Sequence, residues 1–138
     1  MLTQLGILAV VSLTLHGAWE YLHVSLYAGY EHITDMPIAL YATIGDVAYT
    51  LGVTFVIFLF RKNIFTAPTR SDLFLLAVAG FLIALFVEYK ALMLGRWVYL
   101  DAMPIIPILN VGLTPVLQMT ILLLLSVFLT SRILHVLK

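Results

Sequence analysis

Apolar side chains fill four stretches of this chain, at residues 5–26, 37–60, 73–94 and 105–130, and short polar breaks separate them. Each stretch is near the length that crosses about 30 Å of hydrocarbon as a helix rising about 1.5 Å per residue. The pattern therefore predicts an all-α fold, a four-helix transmembrane bundle forming a single domain over 1–138. Connections of roughly ten residues make successive helices antiparallel neighbours. Within the apolar background the polar positions are periodic. In the first span Ser12, His16, Glu20, His23 and Tyr27 fall on one helical face. Asp46 lies in the second span with Tyr49 and Thr50 one turn on, beside Gly45, Ala48 and Gly52, small residues that let another helix approach. The third carries a ridge of Ala77, Gly80, Ala84, Glu88, Ala91 and Gly95, which reads as a packed interface. The fourth presents Asn110, Thr114 and Gln118 as one stripe, with Pro115 expected to kink the helix and free the Val111 carbonyl.

Composition sharpens this picture. The 138 residues are 63% hydrophobic with no cysteine and zero formal net charge. A mean hydropathy of +1.11 lies far outside the soluble range. Nothing suggests nucleic acid as a partner; the implied partner is the lipid bilayer, and thiol chemistry is excluded. The N-terminal run lacks the basic flank of a cleavable signal and reads as a retained helix. Basic residues Arg61, Lys62, Arg70, Arg132 and Lys138 sit in the second loop and the tail, whereas Glu31 and Asp35 sit in the first loop. The positive-inside rule then places both termini in the cytoplasm. Lys90 and Arg96 dissent, although a lysine stem can snorkel to the outer headgroups. Tyr27, Tyr30, Trp97 and Tyr99 fall where an outer aromatic belt would lie.

Counting about 1.5 Å per residue from the outer end of each span puts Glu20 and Glu88 roughly 9 Å down and Asp46 roughly 13 Å down. Three acids on three helices thus share one level, bracketed by Asn110 and Thr114. A charged group at such depth costs several kcal/mol or more unless paired or hydrated, so these residues mark an inward-facing polar site. Its candidate catalytic residues are Glu20, Glu88, Asp46, His16 and His23, with Asn110, Thr114, Gln118, Arg96, Trp97 and Tyr99 as candidate substrate-binding residues. Acids held close together do not all ionise, and one protonated acid beside a charged one is what proton transfer requires. The bland alternative is a hydrogen-bond network that sets helix register. No second His-x-x-x-His or Glu-x-x-His pair completes a carboxylate-bridged metal site, so no metal is assigned and cofactors stay open. The proline-rich aromatic segment 95–107 reads as an interfacial belt, a lid over the cavity, or both, with Arg96 facing an anionic headgroup.

Through Trp19-Glu20, Leu26-Tyr27, Gly45-Asp46, Gly95-Arg96-Trp97-x-Tyr99, Met103-Pro104-x-x-Pro107 and Gly112-Leu113-x-Pro115-x-x-Gln118, the chain resembles a family of small uncharacterised four-span bacterial membrane proteins. That resemblance implies the fold and a bacterial inner-membrane location. His16 and Glu20, with Asn110 before Pro115, are also similar to a pattern in the sterol-isomerase and sigma-2-receptor group of the emopamil-binding-protein fold, which implies isomerase activity on a sterol-like substrate. Three functions follow as expectations. The first is an acid/base enzyme acting on an apolar lipid- or isoprenoid-like ligand. The second is a proton- or ion-coupled carrier working as a homodimer like the small multidrug-resistance transporters, which also have four short spans and a helix-1 glutamate. The third is an accessory subunit of a larger membrane complex. Against the carrier stands the leucine-rich helix below Gln118, which is expected to close the cytoplasmic half.

Overall fold

In the computed structural model, residues 1–29 and 36–137 are described, with side chains from residue 39 onward in the second helix. The expectations for Tyr30, Glu31, Asp35 and Lys138 fall outside them. Four helices make up the fold: α1 (Leu2–His23), followed by the 3-10 turn Val24–Leu26, α2 (Met36–Phe60), α3 (Arg70–Met93) and α4 (Leu113–Val136). A two-residue hairpin, β1 (Ile105–Ile106) and β2 (Val111–Gly112), precedes α4. All four helices are long and apolar enough to cross a membrane. Their outer faces carry large apolar side chains such as Leu22, Tyr41, Phe60, Phe74 and Phe86, while Ser12, His16, Glu20, Thr50, Glu88 and Gln118 are buried. Polar inside and apolar outside is the reverse of a soluble bundle. The molecule is a hydrophobic helix bundle consistent with an integral membrane protein.

Local sequence sets the helix ends. Thr69 caps α3 in a reciprocal capping box with Asp72: the Thr69 N–H donates to Asp72 Oδ2 at 2.9 Å and the Asp72 N–H donates to Thr69 Oγ1 at 3.2 Å. Arg61 Nε lies 3.6 Å from Asp72 Oδ1 and ties the end of α2 to the start of α3, while Ile64 and Phe65 of the intervening loop are buried under the bundle. At the other end of α3, Gly95 adopts φ +61°, and Arg96 and Gly95 donate to the carbonyls of Ala91 and Leu92. This is a Schellman cap, and glycine is required by the left-handed conformation.

α1 packs between α2 and α4, and α3 packs on α4. A Cβ on Gly80 would lie 2.6 Å from the Met119 carbonyl oxygen, so the α3 and α4 backbones meet there. α2 and α3, although consecutive, barely touch. The short α2–α3 loop does not make them a close pair, and the bundle is left with an open seam. The reading of Gly45 and Gly52 as a packing face is corrected accordingly: among the described residues, a Cβ at either would meet nothing within 4 Å.

The fourth span also differs from expectation. Residues 105–112 form the hairpin, with Ile105 paired to Gly112 and Ile106 to Val111. Pro104 and Pro107 lack the N–H that an extended α4 would use, and Asn110 closes the turn at φ +52°, a conformation asparagine tolerates. Pro115 consequently falls in the first turn of α4, where no intrahelical acceptor awaits its nitrogen, and it has no kink to produce.

Candidate active site

The site is built from side chains of all four helices and one connecting segment. On α1 the buried positions Leu8, Ser12, His16, Glu20 and His23 repeat at helical spacing, so Glu20 stands one turn beyond His16 on the interior face. Opposite them, Gln118 of α4 uses its single amide nitrogen twice, donating to Glu20 Oε1 at 2.8 Å and to Asp46 Oδ2 at 2.7 Å. One carboxamide therefore holds acids from α1 and α2 together, and both its hydrogens are consumed. His16 Nδ1 lies 3.4 Å from the same Asp46 oxygen and 3.4 Å from the Gln118 nitrogen. Since the amide has no hydrogen left for the imidazole, Nδ1–H is directed at Asp46. That tautomer leaves Nε2 to accept from Thr50 Oγ1, 3.3 Å away.

Glu88 of α3 has a different partner. The Tyr99 hydroxyl donates to Glu88 Oε2 and accepts from the Gly112 N–H at 3.0 Å. The phenol is thus polarised between a backbone donor and a carboxylate. Burial, followed by the bond to Glu88, pushes its pKa above the ordinary tyrosine range. Buried Tyr27 is likewise raised, again chiefly by burial.

Glu20, Asp46 and Glu88 line one cavity of about 330 Å³, together with Gln118, Arg96 and Trp97. Its other walls include Ala42, Gly45 and Tyr49 of α2, and Ala84 and Val87 of α3, so the cavity lies at the open α2–α3 seam. A second, mostly apolar depression continues along that seam between Ala48, Gly52 and Val56 on one side and Leu75 and Ala79 on the other. Tyr49 borders both.

The segment after α3 covers this end of the bundle. Ala28 N–H donates to the Val98 carbonyl and Leu100 N–H to the Leu26 carbonyl, both at 2.9 Å, so the strap runs antiparallel to the end of α1. Tyr27 packs against His23, Trp97 and Tyr99, with ring centroids 5.5 to 5.9 Å apart. Tyr89 donates to the Leu109 carbonyl at 2.6 Å and fastens the hairpin to α3.

The sequence candidates divide by position. His16, Glu20, Asp46 and Gln118 meet directly; Glu88 and Tyr99 meet each other; Arg96 and Trp97 reach the cavity wall. His23 does not join the acids: its Nδ1–H donates to the Trp19 carbonyl at 2.9 Å within its own helix. Thr114 donates to Met103 Sδ at 3.2 Å, and Asn110 is exposed in the hairpin turn. Of the three-residue stripe Asn110, Thr114, Gln118, the start of α4 at Leu113 removes Asn110 and the bond to Met103 occupies Thr114, which leaves Gln118 to the acids. Among the described residues, no three His, Asp or Glu side chains gather in a metal-binding arrangement.

A second polar set joins Ser12, already read on the polar face of α1, to three hydroxyls that sequence reading passed over, Thr54, Ser126 and Thr130. Ser12, Thr54, Ser126 and Thr130 are fully buried, and their hydroxyls have no hydrogen-bond partner among the described residues. Gln118, Leu122, Ser126 and Thr130 fall at strict four-residue steps, all buried, so the signal was present in α4. Below Gln118 the buried face of α4 is not leucine alone: Ser126 and Thr130 share it with Leu122 and Leu123. No protein-family profile, curated protein or solved structure matches this chain.

Proposed function

We propose that the protein is an integral membrane enzyme that isomerises an apolar lipid- or isoprenoid-like substrate by acid/base proton transfer. The observation carrying this reading is that carboxylates from three helices line one cavity whose remaining walls are largely apolar and which lies at an open seam between helices. A register-setting network has no use for such a space. Glu20 and Asp46, joined by Gln118, share a proton and act as the acid; Glu88, fixed by Tyr99, is the base. In the reaction the acid delivers a proton to one carbon of a double bond and the base removes one from a neighbouring carbon, so the double bond moves and no oxidant is consumed. His16 orients Asp46. Arg96, exposed at the cavity wall, meets an anionic headgroup, and the apolar chain enters along the α2–α3 seam.

Such a reaction carried out in heavy water deposits deuterium in its product. Purified protein in mild detergent, incubated in D2O with a panel of polyprenyl and unsaturated lipids, is expected to label one class of them, and Glu20→Gln and Glu88→Gln to abolish the label. Labelling by neither wild type nor variants would overturn the proposal. Gly52→Phe, which projects a ring into the seam from a position where a Cβ meets no described atom within 4 Å, should raise KM for a long-chain substrate and leave a truncated one unaffected.

The buried hydroxyls of Ser12, Thr54, Ser126 and Thr130 favour a second reading, a proton-coupled carrier, since a carrier needs a polar route toward the opposite face. Glu20-dependent collapse of a pH gradient in proteoliposomes, with no lipid labelling, would put the carrier first.

A further inference from the structure

The four unpartnered hydroxyls fall at successive levels of the bundle interior. Two bonds set the levels: Thr50 of α2 meets His16 of α1, and Gln118 of α4 meets both His16 and Glu20. α1 runs opposite to α2 and α4. One turn away from the cavity, toward the end that carries both termini, therefore brings Ser12 and Thr54 to the same level, about 6 Å from His16. Two turns along α4 give Ser126, about 12 Å on, and three give Thr130, about 18 Å on. Each of the four is fully shielded from solvent, on faces of α1, α2 and α4 that pack together.

Helical serines and threonines ordinarily satisfy themselves by donating to the carbonyl four residues back, as Thr43 and Thr120 do here at 2.7 Å each. Ser12, Thr54, Ser126 and Thr130 do not. A buried hydroxyl without a partner costs about 1 to 3 kcal/mol, a cost that an internal water bonded to it would remove. Steps of about 6 Å match two hydrogen bonds through one water.

We infer that these hydroxyls hold a file of internal waters running from His16 to the terminal end of the bundle, forming a proton path that serves the carboxylate cavity. The path begins at Thr50, whose proton is directed at His16 Nε2 and whose oxygen is left to accept. His16 in turn faces Asp46, so a proton arriving along the file reaches the Glu20–Asp46 pair by exchange through the imidazole, Nε2 receiving one proton as Nδ1 releases another. The functional importance of the path rests on the proton-transfer reading; its existence does not.

Hydroxyl radicals generated by brief X-ray irradiation of the protein in lipid nanodiscs oxidise side chains that touch bound water. Leu8 and Leu122 are buried beside the hydroxyls, Leu8 one turn from Ser12 and Leu122 between Gln118 and Ser126. They are expected to gain oxygen, whereas the equally buried Val111 at the far end stays unmodified. The double variant Thr54→Val with Ser126→Ala should lose the Leu8 and Leu122 labelling while keeping the wild-type melting profile. Absence of labelling in the wild type, or its persistence in the double variant, would overturn the path. If labelling is absent while Glu20-dependent deuteration of lipid persists, the path fails and the enzyme reading stands; the reverse result removes the enzyme and leaves the path.

Discussion

Gln118 illustrates how one residue decides the character of the site. Two acids from different helices face a single amide, and without that donor they would confront each other unscreened in an apolar bundle. Gln118→Met keeps the volume and removes the bonds. It should lower stability in detergent by about 1 to 3 kcal/mol, measured by denaturant titration, with the loss shrinking when Asp46→Asn is added. Tyr99 carries a pH dependence whose sign follows from its environment. Its folded-state pKa lies above the ordinary value, so the folded chain holds the phenol proton more tightly than the unfolded chain does. That stabilisation is complete below about pH 10 and is lost as pH rises further. The melting temperature should fall on alkaline titration, and Tyr99→Phe should fall less steeply than the wild type.

At the scale of elements, glycines in adjacent helices have opposite roles. Gly80 lies where α3 and α4 meet backbone to backbone, so a methyl group there has no flexible neighbour to displace. Gly80→Ala should cost about 1 to 3 kcal/mol. Gly52 faces the open seam, and Gly52→Ala should be neutral or stabilising by up to about 1 kcal/mol through helix propensity alone. Thermal unfolding of the pair in one detergent tests the packing asymmetry directly. Equal effects would mean that α2 and α3 close on each other. The hairpin is the other element with a consequence: by occupying residues 105–112 and starting α4 at Leu113, it sends Asn110 outward and leaves Tyr99 room to reach both Gly112 and Glu88.

For the whole molecule the testable property is its orientation. The absence of cysteine makes single-cysteine labelling clean. Ala67→Cys, in the exposed α2–α3 loop, should react with an impermeant maleimide only in inverted vesicles, and Val98→Cys, in the exposed strap, only in intact cells with permeabilised outer membranes. The opposite pattern would reverse the membrane topology drawn from the basic residues. It would leave the bundle itself unchanged, since the bundle follows from packing and not from sidedness.

Four apolar helices, and the face of α1 on which His16 and Glu20 stand, were legible because helical periodicity is a property of the local backbone and needs no partner. The strap was legible for a similar reason: Pro104 and Pro107 have no N–H to give a helix, and Gly95 suits the left-handed end of one. What no local pattern contains is the choice of neighbours. That Gln118 joins Glu20 to Asp46, that Glu88 belongs to Tyr99, that α2 and α3 stand apart and that Asn110 turns away are consequences of packing between segments distant in sequence. The unpartnered hydroxyls belong with these, because a serine or threonine in a helix is ordinary until the fold shows that nothing reaches it.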